Sequence, residues 1–337
     1  MPKSISDFIQ NGITAVEEFN DPMTLVQYAA TLQSGKYDEP FLRKYLKKNK
    51  RLGVDNDSLI DIYLKKFVSE RPSDSTLLLI TDYQTGVDNK GFHVLEANKN
   101  RLNALMNKPN YFDDAKERYY FQSLERALND TDEPEMKRLL ARSEAFDLKD
   151  PENVAYDYSK RFYTKINSVE KLKEINTTYA NLLLNRSDKD IEAISKKYEA
   201  GLKEQIVWQA KQMGISNDKM DEILALNLKR PEIKYRQYLA YADILNSIAW
   251  DTYESNKGSV ADREQVAQAT KWAERAMSLS EPVTSSWLVD ADTYSHLLSL
   301  QGAKEKAKAI QQQVVTKAKQ TNDEGLKDYE QFLDELQ

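Results

Sequence analysis

Apolar residues along this chain recur at intervals of three and four. Leu172, Ile175, Tyr179 and Leu182 lie on one face of a helix, and Phe41, Leu42, Tyr45 and Leu46 lie on another. Read this way, the sequence predicts roughly fifteen to seventeen helices, most of about 10–20 residues, joined by short loops. The run Leu77-Leu78-Leu79-Ile80 has the apolar continuity of a buried strand. It lacks a pairing partner, so it is read as a buried helix.

Local signals mark where these helices start and stop. Asp21-Pro22, Asp150-Pro151 and Arg230-Pro231 place proline at or near a first helical position, where its missing N–H costs nothing. Asp21 and Asp150 are read as N-caps, and Ser187 with Asp190 as a variant capping box. Ser58 is read as a further N-cap, after a turn at Asp55-Asn56-Asp57. The acidic stretch Asn129–Glu133 before Pro134 is read as a helix entry favoured by the dipole. Arg43, Lys44, Lys47, Lys48, Lys50 and Arg51 gather toward a predicted helix C-terminus that Gly53 stops. There cations are favoured, and an anion-binding patch is the less apt reading because Asp55 and Asp57 follow at once.

Composition narrows the class further. Only 10 glycines and 9 prolines occur in 337 residues, too few for the turns of an all-β or doubly wound fold. The absence of cysteine excludes disulfides, thiolate metal sites and thiol chemistry. A net charge of −6 argues against a nucleic-acid partner. No apolar run approaches the ~18 residues of a membrane span, and Met1-Pro2-Lys3-Ser4 opens no signal-peptide core. The expected fold is all-α: antiparallel helix pairs forming an α-α superhelix. Three regions are expected within it, an N-terminal helical-hairpin region at 1–110, an irregular middle at 111–230 and a repeat-like region at 231–337.

A weak internal repeat supports the pairing. Leu25, Tyr28, Ala29 and Leu32 share their spacing with Leu245, Ile248, Ala249 and Thr252, and with Ala291, Tyr294, Ser295 and Leu298. The small residue in each set permits close approach of a second helix. Ala269, Trp272 and Ala276 fall in register with Ala307, Ile310 and Val314, although Ala273 meets Gln311. On this reading Ala249, Trp250, Trp272 and Ala276 are structural helix contacts, with both tryptophans largely buried.

These residues resemble tetratricopeptide repeats, whose units run about 34 residues with small residues at the hairpin contact. Ala269, Ala273 and Ala276, followed by Leu279 and Pro282, look like a second helix, and Gly302 looks like the turn of the next unit. The loop from Ser255 to Asp262 is long for such a unit, and the segment from about 110 to 230 does not follow the consensus. A broader resemblance rests on Asp74–Ile80, Leu245–Trp250, Trp272–Ala276 and Asp292–Leu298. These segments resemble the helical region that follows a thioredoxin-like domain in certain bacterial envelope proteins. The resemblance implies an accessory helical region, periplasmic or envelope-located, whose partner is a protein, a peptide or an upstream domain of the same polypeptide. No redox role carries over, because this chain has neither cysteine nor a βαβ pattern.

Candidate chemistry is sparse. His296 has Asp292 four residues before it, a spacing that lets a carboxylate orient an imidazole. No nucleophile motif surrounds it, and it is read as a packing histidine. His93 has less around it, and no HExxH spacing or phosphate-binding glycine loop occurs. Asp55-Asn56-Asp57-Ser58 begins like a calcium loop but continues with Leu59 and Ile60, where an oxygen ligand and glycine are needed. Neither a metal nor an organic cofactor is expected. Tyr235, Tyr238 and Tyr241 are the candidate partner surface, because tyrosine is enriched at interfaces. Two readings stay open: a non-catalytic helical-repeat interaction module, and an all-α hydrolase using a carboxylate pair that sequence cannot single out among 54 acidic residues. A cavity lined by convergent carboxylates would favour the hydrolase; a groove with tyrosines would favour the module.

Overall fold

The computed structural model describes residues 21–68, 71–257 and 262–337, and among these residues helix is the regular structure, with no strand. The protein is all-α, with adjacent helices packed in pairs. Two compact units divide the chain, Met1–Leu148 and Lys149–Gln337. The division falls at 148/149 and not near 110 or 230. The physical reason lies in the middle region, whose first helix packs on its N-terminal neighbours while the later ones pack on the C-terminal helices.

In the first unit, α1 (Leu25–Gln33), α2 (Glu39–Arg51), α3 (Asp57–Phe67), α4 (Asp74–Tyr83), α5 (Lys90–Ala97) and α6 (Lys99–Leu105) precede the long α7 (Tyr111–Asp130). Helix α8 (Glu133–Leu140) and a 3-10 turn (Ser143–Phe146) complete it. The Leu77–Ile80 run is helical within α4; Leu77, Leu79 and Ile80 are buried while Leu78 faces outward. Helix α2 ends in Lys48, Lys50 and Arg51 with Gly53 in the left-handed region just beyond, as its basic C-terminus implies.

Two capping expectations are corrected. Helix α1 starts not at Pro22 but after Thr24, which forms a complete capping box with Gln27. Asp21 instead accepts from the Tyr28 hydroxyl at 2.8 Å. Ser58 is already inside α3, whose N-cap is Asn56, and Asp55 accepts from the Asp57 N–H at 2.6 Å.

The second unit begins with α9 (Pro151–Lys165), capped by Asp150, and continues through α10 (Val169–Asn185), α11 (Asp188–Gln212), α12 (Asn217–Leu228) and the short α13 (Pro231–Lys234). Then come α14 (Arg236–Asn256), α15 (Arg263–Ser280), α16 (Thr284–Leu300), α17 (Lys304–Thr321) and α18 (Leu326–Glu335). Each of α14 to α17 packs on the next, in a superhelical arrangement, and α14 also packs directly on α16. Gly302, at φ 83°, makes the turn between α16 and α17, a conformation that costs a residue without Cβ little. Part of the Ser255–Asp262 loop lies outside the described residues.

Small residues make the close contacts of this stack. Ala249 and Ala276 are fully buried in a cluster with Leu245, Ala269, Ala273 and Tyr294. Trp272 is buried, and its indole N–H donates to Asn181 Oδ1 at 3.0 Å, tying α15 to α10. Trp250 departs from expectation: it is half-buried, and its ring packs on Tyr253 and His296.

Candidate functional site

The three tyrosines expected to face a partner do not share a surface. Tyr241 is fully buried and its hydroxyl donates to Asp150, the N-cap of α9, while accepting from Arg186 at the end of α10. Gln237 also donates to Asp150, at 3.3 Å, and Arg186 lies 3.4 Å from it. This knot joins three helices, and burial beside the Asp150 carboxylate pushes the Tyr241 phenol far above its ordinary value. Tyr241 is therefore a core residue, which corrects the expectation of a binding tyrosine. Tyr238 is half-buried and donates to the Asp188 carbonyl at 3.3 Å, with Tyr235 edge-on to it at 6.2 Å. Sequence reasoning found Asp150 only as a cap. No spacing along the chain announces that Arg186 and Tyr241 meet it.

Carboxylates do converge in the first unit. A cleft of about 390 Å³ is lined by Asp57, Asp61, Asp88, Asp132, Glu135 and Arg126, among others. Burial raises Asp57 above the ordinary carboxylate range. Its Oδ1 accepts from the Thr85 N–H and hydroxyl, at 3.2 and 3.0 Å, and its Oδ2 accepts from Arg126 at 3.0 Å. Asp61 accepts from the Lys90 N–H at 2.9 Å, where α5 starts. Asp88 is bridged to Arg138 and Arg142, whose charges hold it below the usual range. Asp132 caps α8. These oxygens are engaged in holding helix starts and cations, so Asp57, Asp61, Asp88 and Asp132 do not form a free acid–base pair. Among the described residues no cluster of histidine, aspartate and glutamate has the form of a metal site.

Helix α16 carries a different kind of polarity. Asp290, only 2% exposed, is buried with its Oδ2 unpartnered, and burial pushes it up to about 7. The Ser280 hydroxyl opposes that shift and the charge of Asp243 on α14 adds to it. Asp292 is pushed up to about 6 by burial, although Gln311 donates to it at 2.7 Å, and Asp328 on α18 adds a like charge. His296 is pushed down to about 4 by burial, with Lys257 adding to the shift, so the imidazole is neutral at neutral pH. Its Nε2 lies 3.9 Å from Asp292 Oδ2, too far for a hydrogen bond, and its Nδ1 has no partner. Asp292 thus does not orient His296 as a catalytic base.

What surrounds His296 is aromatic. Tyr253 stacks on it with ring centres 5.0 Å apart, Trp250 lies tilted at 5.4 Å, and Phe332 of α18 meets it edge-on. Trp250 and Tyr253 of α14 and His296 of α16 thus form an aromatic cluster, which Phe332 of α18 joins through His296. Elsewhere in the unit, Trp208 on α11 is 61% exposed, Met213 just beyond it 76% and Leu226 on α12 63%.

The second unit is thus a stack of helix pairs with an aromatic cluster between α14, α16 and α18. Comparison with known proteins finds no matching family model, no similar curated protein and no similar solved structure.

Proposed function

We propose that the chain is a non-catalytic helical-repeat interaction module, an accessory helical region of a larger bacterial protein of the thioredoxin-like class that holds a protein or peptide partner. The observation that supports the reading most is the α14–α17 stack, in which each helix packs on its neighbours and α14 reaches α16 directly. Such stacking produces extended surfaces rather than a single closed pocket. The exposed Trp208 and Met213 supply contact area of the residue types enriched at interfaces. The acidic cleft of the first unit weighs against the hydrolase, since its central carboxylates are tied to Arg126, Arg138, Arg142 and helix N-termini.

Cross-linking of the purified chain in an envelope extract, followed by mapping of the linked peptides, tests this. Specific links between one partner and α11, α12 or the α14–α16 flank are expected. Turnover in a broad hydrolase screen that Asp57→Asn abolishes would overturn the proposal.

A further inference from the structure

A cleft of about 590 Å³ in the second unit is lined by residues of α9, α10 and α11. Its size falls within the ~300–1,000 Å³ of small-molecule sites. Asp190, Ala193, Ile194 and Lys197 of α11 fall at i, i+3, i+4 and i+7, so one face of that helix forms a wall. The end of α10 adds Leu182 and Arg186, and the entry to α9 adds Lys149, Pro151 and Glu152. Leu182, Ile194 and Pro151 are half-buried and give the cleft an apolar lining.

The charges of the cleft are unevenly satisfied. Asp190 accepts from the Ser187 hydroxyl at 2.6 Å. Arg186 is only 7% exposed, and its Nη1 is committed to Asp150 and the Tyr241 hydroxyl. Its Nη2 has the Glu152 carboxylate at 3.5 Å, longer than a charge-assisted hydrogen bond, and Glu152 is itself about half exposed. A buried guanidinium held so loosely at one nitrogen has a donor to spare for an oxyanion. The lysines point the same way. Lys196 and Lys203 of α11 pair with Glu192 and Glu199 at 2.7 and 2.8 Å, whereas among the described residues no carboxylate pairs with Lys197 or Lys149. Lys149 lies instead against α11, its ammonium 5.4 Å from the Tyr198 ring centre and beside Gly201, where a Cβ would come within 2.7 Å of it.

We infer that this cleft binds a small amphipathic anion, a compact apolar body ending in one carboxylate or phosphate head. The head takes Arg186 Nη2, the fork geometry of a guanidinium being suited to paired oxygens, and displaces Glu152 from it. Lys149 and Lys197, which carry no carboxylate of their own, add attraction for the negative charge. The apolar body lies on Leu182, Ile194 and Pro151. Glu152 is thereby the internal competitor of the ligand head. The site goes beyond the interaction-module reading and does not depend on it.

The test is isothermal titration of the full chain at low salt with octanoate, octyl phosphate, 1-octanol and octylamine. The tighter of the two anions should bind at least about tenfold more strongly than the alcohol, which shares its apolar body, and than the amine. Which anion is tighter names the head group. Glu152→Gln removes the competitor and should tighten binding several-fold, whereas Lys197→Glu should weaken it by about tenfold. Ala193→Trp fills the cleft from one wall and should block it. All three positions are exposed, and circular dichroism confirms that each variant is folded.

Alcohol or amine binding as tightly as the anions, no binding by either anion, or no gain from Glu152→Gln would each overturn the inference. So would anion binding that Ala193→Trp leaves intact, since the ligand would then lie elsewhere on the chain. If a partner is cross-linked while neither anion binds, the cleft assignment fails and the module reading stands. If the anion binds as described while the hydrolase screen finds Asp57-dependent turnover, the module reading fails and the cleft stands.

Discussion

Replacing Asp290 by asparagine should make the protein more stable, and increasingly so as pH rises. The carboxyl sits between α16, α15 and α14 with one oxygen unpartnered and the negative Asp243 nearby. Burial lifts it from 3.8 to about 7, a rise of about three units. At ~1.4 kcal/mol per unit, holding the ionised form in this site costs about 4 kcal/mol. Because the folded state binds the proton more tightly than the unfolded chain, the associated stability is complete below about pH 4. It is lost as pH climbs through about 7. Asparagine keeps the shape and has no proton to lose. Urea unfolding of both proteins at pH 4 and pH 8 should therefore show a gap that widens by about 2–4 kcal/mol in favour of Asp290→Asn, the upper value applying if the interior does not relax around the charge. A pH-independent gap would refute the buried, titrating carboxylate. A variant less stable than the parent at pH 8 would show that the carboxylate makes a favourable bond that outweighs its desolvation.

Three other outcomes follow from the packing. Ala249→Leu should overpack the fully buried α14–α15 contact and lower the urea midpoint by an amount equivalent to about 1–3 kcal/mol; coincident midpoints would refute the close contact. Tyr241→Phe removes the hydroxyl that links Asp150 and Arg186 and should cost about 1–3 kcal/mol in the same assay, leaving the fold intact by circular dichroism. Trp272→Ala should cost about 3–5 kcal/mol, whereas Trp250→Ala, half-buried, should cost clearly less, and equal losses in thermal unfolding would contradict the difference in burial.

Most of the architecture is legible in the sequence because its signals are local. Scarce glycine and proline, the i, i+3, i+4 spacing of Leu172, Ile175 and Tyr179, and Pro151 after Asp150 all act within a turn or two of their own helix. The alanines at 249 and 276 are legible for the same reason, since a small residue at a fixed place in a repeat implies close approach. What escapes is set by contacts remote in sequence. Tyr241 becomes a core residue because Asp150 and Arg186, from two other helices, converge on its hydroxyl. Trp250 is only half-buried, and the ring it meets outside its own helix is His296 of α16, forty-six positions later. One miss is local: Thr24 displaces Asp21 as a cap because Gln27, three residues on, completes its capping box. The boundary at 148/149 depends on which neighbours α7 and α10 choose, and no linker composition marks it.

The placement of polarity on α16 bears on why the stack is built as it is. A helix between two others in a repeat would be most stable with apolar groups throughout its buried faces, and α15 comes near this with Ala269, Trp272, Ala273, Ala276 and Leu279. Helix α16 instead buries Asp290 and Ser295 and places Asp292 and His296 where α18 closes over them. Ser295 is satisfied by the Ala307 carbonyl at 2.9 Å and serves the α16–α17 contact. Asp292 accepts from Gln311 of α17 at 2.7 Å, whereas His296 leaves its Nδ1 unpartnered. Unpartnered buried polar atoms thus occur both inside the stack, at Asp290 Oδ2, and beside α18, at His296 Nδ1 and Gln311 Oε1. An apolar replacement of Asp292 would strip the fully buried Gln311 amide of the acceptor it has at 2.7 Å, so the carboxylate belongs to the bonding that ties α16 to α17 and its burial is offset there in part.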